Sequence, residues 1–86
     1  MLWAHAHDAI WRTAPGYLAL ASIDGSAIEI RGPACDIWKL LESPIEEAQL
    51  VATLSEQYAG DRVDMRRDVR QLLDDLHERG YVVRSV

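Results

Sequence analysis

Ala27-Ile28-Glu29-Ile30-Arg31-Gly32-Pro33-Ala34-Cys35-Asp36-Ile37-Trp38-Lys39-Leu40-Leu41 decides the fold, because its hydrophobic period changes in the middle. Before Gly32, Ile28 and Ile30 alternate with Glu29, the two-residue period of a strand with one buried face. After Gly32, Ile37, Trp38, Leu40 and Leu41 gather on one side of a 3.6-residue period. Pro33 suits the first helical position, where the N–H it lacks would have no intrahelical acceptor. A strand therefore has to give way to a helix at Gly32-Pro33.

Toward the N-terminus, Tyr17 to Ser22 sets Leu18 and Leu20 on one face. The dipeptide Asp24-Gly25 supplies the positive backbone angles of a tight turn, so this strand is expected to pair antiparallel with Ala27–Arg31. A first strand is expected within Trp3 to Arg12, before the turn signal Ala14-Pro15-Gly16. Both Trp3/His5/His7 and Ile10/Arg12 alternate, which leaves its register open.

Toward the C-terminus, Ser43-Pro44-Ile45-Glu46 reads as a capping box that starts a second helix at Pro44. Its expected buried stripe is Leu50, Val51, Leu54 and Tyr58, and Gly60 stops it. A third helix is expected from an Asp61 cap to Arg79, ended by Gly80, with Met65, Val69, Leu72 and Leu76 toward the core. Tyr81-Val82-Val83 closes the chain. The expectation is one α+β domain over residues 1–86: an N-terminal three-stranded antiparallel sheet followed by three helices.

Composition narrows the function. At 86 residues, 49% of them apolar and 27% charged, the chain supports one thin core. A domain of this size buries only roughly 60–65% of its unfolded surface, so a surface groove is more plausible than an enclosed active site. The net charge of −5 weighs against nucleic acid as a partner. The single Cys35 forms no internal disulfide and suits a reducing cytoplasm. No apolar run approaches the roughly 18 residues of a membrane span, and the opening residues lack the basic stretch and long apolar core of a signal peptide.

Few residues suggest chemistry. His5, His7 and His77 could hold a metal, but a His-x-His without carboxylate or cysteine partners is more simply structural. Cys35 could be a nucleophile, yet no histidine is placed to meet it. Glu46-Glu47 and Asp74-Asp75 are adjacent on helices, about 100° apart, and read as solvated faces. No phosphate loop, nucleophile elbow or Cys-x-x-Cys pair is present. The chain is expected to be no enzyme, with no catalytic residue, metal or cofactor.

Two surfaces suggest binding instead. Leu73 lies off the expected core stripe, on the same flank as Arg62, Arg66 and Arg70, and this flank is either a solvated arginine face or a groove wall. The edge of Ala27–Arg31 could accept another strand, from a peptide or from a second copy of the chain, unless Glu29 and Arg31 protect it. Arg62, Arg66, Arg67 and Arg70 could also form a DNA-recognition helix, opposed by Asp64, Asp68, Asp74 and Asp75 and by the negative total.

The order of these features, Gly25 in a hairpin, Gly32-Pro33-Ala34 before Ile37-Trp38 and Leu40-Leu41, Pro44, then Asp68-Val69, Leu72-Leu73, Leu76 and Gly80-Tyr81-Val82, resembles the PqqD-like family of RiPP precursor peptide recognition elements over residues 15–84. The resemblance implies a fold related to a winged helix-turn-helix. It also implies a leader peptide that adds beside the third strand, in the cleft between that strand and the third helix. Carried onto this chain, Ala27, Ile28, Glu29, Ile30 and Arg31 would line one side, and Arg66, Asp68, Val69, Arg70 and Leu73 the other.

The stand-alone length resembles the lasso peptide subgroup, whose members present a precursor to a separate leader peptidase and cyclase. Two departures stand out. The Leu-Leu-x-Pro-Glu stretch of quinone carriers is replaced by Ala21-Ser22-Ile23-Asp24-Gly25, and the usual aromatic-rich third strand by Ala27-Ile28-Glu29-Ile30.

Overall fold

The computed structural model describes residues 1–22 and 25–85. Four strands, β1 (Leu2–His5), β2 (Ile10–Ala14), β3 (Tyr17–Ala21) and β4 (Ala27–Ile30), lead into helix α1 (Pro33–Leu40). A two-residue strand β5 (Ile45–Glu46), helices α2 (Glu47–Gln57) and α3 (Arg62–Glu78), and strand β6 (Val82–Ser85) complete the order. The α+β class and the three helices are as expected.

The expected antiparallel sheet is β2-β3-β4. Leu18 lies opposite Ile30 and Leu20 opposite Ile28, so the alternating apolar residues of both strands share the core face. Pro15 and Gly16, with φ +84° at the glycine, turn β2 into β3. The β3–β4 hairpin is closed by the Ser22 N–H donating to the Ser26 carbonyl at 2.9 Å, with φ +91° at Gly25. Ile23 and Asp24, and with Asp24 half of the turn signal, lie outside the described residues.

A second sheet, β5-β1-β6, was not expected. The two alternations that competed for one strand are two strands in different sheets: Trp3 belongs to β1 and Ile10 to β2. β1 pairs with β6 from Leu2↔Ser85 to His5↔Val82. Its other edge takes β5, through Leu2↔Glu46 and Trp3↔Ile45. That pairing corrects the expected start of the second helix, since it draws Ile45 and Glu46 into extended backbone. The capping box moves with it: Glu46 is the N-cap, and Gln49 Oε1 accepts from the Glu46 N–H at 3.3 Å.

α3 starts as expected, with Asp61 Oδ1 accepting from the Val63 N–H at 2.7 Å, and Gly80 ends it at φ +85°. Its buried face is rotated from the expected one. Val69, Leu73 and Leu76 are buried, whereas Met65 and Leu72 are only partly so. Leu73, expected on an exposed basic flank, is fully buried. The cause is α2, which packs along that flank, as the Arg70–Glu47 ion pair at 3.0 Å shows.

One core cluster joins both sheets and all three helices through Trp3, Leu20, Trp38, Leu50, Leu73 and Tyr81. Leu73→Ala is expected to lower the unfolding free energy by about 2–5 kcal/mol, because it opens a cavity in a packed interior. Leu72→Ala is expected to cost about 1 kcal/mol. Equilibrium urea denaturation measures both, and equal losses would contradict the placement of Leu73.

Candidate functional site

Gly32, with φ +60°, turns the chain from β4 into α1 and so brings the first turn of that helix beside the start of α3. Small residues follow the turn, and between Pro33, Ala34 and Ile37 of α1 and Met65, Val69 and Leu72 of α3 lies an open groove of about 550 Å³. Leu54 and Tyr58 of the α2 end close it from below, and Gly60 and Asp61 bound it where α2 passes into α3. The floor is apolar. The rim carries Arg31 on the sheet side and Asp61, Asp64 and Asp68 on the α3 side.

Arg31 directly follows β4, an edge strand of its sheet. β3 occupies one side of β4, so the backbone groups of the other side point away from any strand among the described residues. Such an edge is a template for a further strand, and here it runs up to the rim of an apolar groove.

The rim charges differ in how they are held. Arg31 donates to Glu29 at 3.0 Å, and its guanidinium lies 5.2 Å from the centre of the Tyr17 ring. Asp64 and Asp68 share Arg67, at 3.5 and 3.6 Å, with all three side chains largely in solvent. At the lower end, the Tyr58 hydroxyl donates to Asp36. That hydrogen bond holds the Tyr58 pKa above its ordinary value, helped by desolvation and by the charge of Asp36.

Of the residues expected at the site, Arg31, Asp68 and Val69 line the groove. Ala27 and Glu29 point outward from β4, while Ile28 is half-buried and Ile30 buried on the core face. These four therefore offer a backbone edge more than a pocket. Arg66 and Arg70 do not line the groove, and Arg70 is bound to Glu47 and Asp74. Leu73 is in the core and cannot form the wall proposed for it.

The α3 wall is thus the acidic flank, opposite the basic one. Sequence reasoning missed Pro33, Ala34, Ile37, Met65, Leu72 and the aspartates at 61 and 64 as groove residues. A usable signal was present, since Met65 and Leu72 share the Val69 stripe and Asp64 and Asp68 stand four apart beside it.

The residues weighed for chemistry have other roles. The His5 ring stacks on Trp38 at 3.8 Å, and its Nε2–H donates to the Trp38 carbonyl at 2.6 Å. His77 meets Trp3 edge-on at 6.1 Å. The Cys35 thiol donates to the Ile30 carbonyl at 3.2 Å. Among the described residues, no three His, Cys, Asp or Glu side chains gather to hold a metal. No helix among them is long and apolar enough to cross a membrane.

The sequence profile of the family described as coenzyme PQQ synthesis protein D (PqqD) matches residues 16–82. Two solved structures superpose closely. TbiB1 in complex with the TbiA(beta) leader peptide gives a TM-score of 0.88 over 96% of this chain and 98% of that one, at 19% identity. Lasso peptide synthetase B1 complexed with the leader peptide gives 0.84 over 95% and 98%, also at 19% identity. Both establish the fold, and both superpositions reach beyond the family match. No curated protein matches the sequence.

The Tyr58–Asp36 contact is open to titration. A raised tyrosine pKa means that the folded state favours the neutral phenol, so its contribution to stability is complete below about pH 10 and is lost as pH rises through the folded pKa. Absorbance titration of the phenols should show a component above the ordinary tyrosine range that is lost in Tyr58→Phe and lowered in Asp36→Asn. A titration unchanged by Asp36→Asn would contradict the assignment.

Proposed function

The chain belongs to the PqqD family, and from that premise we propose that it is a non-catalytic binding domain that holds the leader region of a ribosomally made precursor peptide. The open edge of β4, running into the groove between α1 and α3, is the observation that carries this reading. An extended peptide would pair with the backbone of Ala27–Arg31 and set apolar side chains over Ile37, Met65 and Leu72. Of the residues singled out in the sequence, Ala27 to Arg31 supply the strand edge, and Asp68 and Val69 line the groove. Arg66, Arg70 and Leu73 lie outside it.

Energetics favour a ligand that uses both surfaces. A micromolar complex needs about 8 kcal/mol. One buried apolar side chain supplies about 1.5–3 kcal/mol, and each backbone hydrogen bond a net of about 0.5–1.5 kcal/mol. Association also costs several kcal/mol of lost freedom. The strand edge and the groove therefore each add to the total, and a peptide spanning both gains from both.

No side chain has to do chemistry in this role. The similar structures carry leader peptides, which supports a place in lasso peptide formation: the domain presents the precursor to a leader peptidase and a cyclase acting on it. A duplex-DNA role fits less well, because Arg70 of α3 is held by Glu47 and Asp74 and the net charge of −5 opposes approach to phosphate.

Fluorescence anisotropy with the labelled leader of a precursor peptide found in the gene neighbourhood tests the proposal. Saturable binding is expected at or below tens of micromolar. Met65→Asp and Leu72→Asp should each weaken it about tenfold or more, since a charge would be desolvated under the peptide, and Arg70→Ala should leave it unchanged. Absence of saturable binding would refute leader capture. Wild-type affinity in both aspartate variants would refute the groove.

A further inference from the structure

The leader has a charge to match as well as an apolar side chain to place. Three carboxylates, of Asp61, Asp64 and Asp68, stand on one rim of the groove, against one guanidinium, that of Arg31. Arg31 is already satisfied by Glu29 and by the Tyr17 ring. The positive end of α3 adds roughly half a charge at Asp61, which leaves the rim negative. Arg67 meets Asp64 and Asp68 at 3.5 and 3.6 Å, with about two-thirds of each side chain exposed, and does not itself line the groove. Such pairs are weak and easily exchanged.

Resting on leader capture, we infer that this groove selects leaders carrying a lysine or arginine next to the apolar anchor, and disfavours those carrying aspartate or glutamate there. The long stem of such a residue would lie along Met65 and Leu72, both only partly buried, while its head reaches Asp64 and Asp68. The apolar floor supplies contact area. The rim decides which neighbour of the anchor is accepted.

Selection of displayed random linear peptides on the intact chain reads this directly. Peptides retained by the wild-type chain should be enriched in lysine and arginine over aspartate and glutamate by roughly three- to tenfold relative to the starting library. Asp64→Lys with Asp68→Lys should reverse the preference. Asp74→Lys with Glu78→Lys, outside the groove, replaces the same number of carboxylates and shifts the net charge of −5 by the same amount. It should leave the preference intact.

Circular dichroism checks that each pair folds, and a wild-type selection without a basic preference overturns the inference even where a variant does not fold. Peptides retained without a basic preference, or a preference altered equally by both pairs, would overturn the charge inference and leave leader capture standing. Retention no better than on a blank surface would remove leader capture and this inference with it.

Discussion

A single backbone turn, φ +60° and ψ −138° at Gly32, sets the α1 wall of the groove relative to the β4 edge. Residues with a Cβ avoid this region at a cost of about 1–3 kcal/mol. A Cβ there would meet nothing within 4 Å, so glycine serves the backbone angle and not the available space. The turn is tied on both sides: the Cys35 N–H donates to the Gly32 carbonyl at 3.0 Å, and the Cys35 thiol to the Ile30 carbonyl at 3.2 Å. Arg31 and Pro33, which flank Gly32, both line the groove. The open strand edge and the apolar trough are therefore one feature, produced where strand becomes helix.

The second sheet holds that corner against the rest of the molecule. The His5 N–H donates to the Leu41 carbonyl at 3.1 Å and the Ala6 N–H to the Tyr81 carbonyl at 2.9 Å, which ties the end of β1 to the end of α1 and to the entry of β6. His5 stacking on Trp38 adds a side-chain contact to the same junction. The junction is not free of cost. Trp38 Nε1 and the Tyr81 hydroxyl are buried without a hydrogen-bond partner among the described residues, at about 1–3 kcal/mol each. Packing of the large aromatic surfaces has to offset that cost.

What could be read from the sequence was set by range. Ile28 and Ile30 alternating before Gly32-Pro33, the Asp61 cap and Gly80 each act within a few residues, and each appears where local chemistry puts it. The strand at Ile45-Glu46 depends on β1, more than forty positions away, so a local capping signal pointed to the wrong start. α3 shows the limit of periodicity. Met65, Val69, Leu72, Leu73 and Leu76 form one broad apolar arc, and periodicity does not say which side of it will be covered. α2 covers the Leu73 side and leaves Met65 and Leu72 to the groove.

That rotation also exchanges the roles of the charges. Arg70, which drew attention as part of a binding face, instead ties α3 to α2 through Glu47. Asp64 and Asp68, which read as counterweights to the arginines, stand on the rim of the groove. Exposed ion pairs contribute little to stability, typically about 0–1 kcal/mol, so neither set holds the fold together. Their effect lies in what they meet: a charge beside a helix partner is satisfied internally, whereas a charge beside an empty apolar trough acts on whatever enters it. In a domain with a thin core, a shift of α3 about its own axis is enough to decide which charges face the groove.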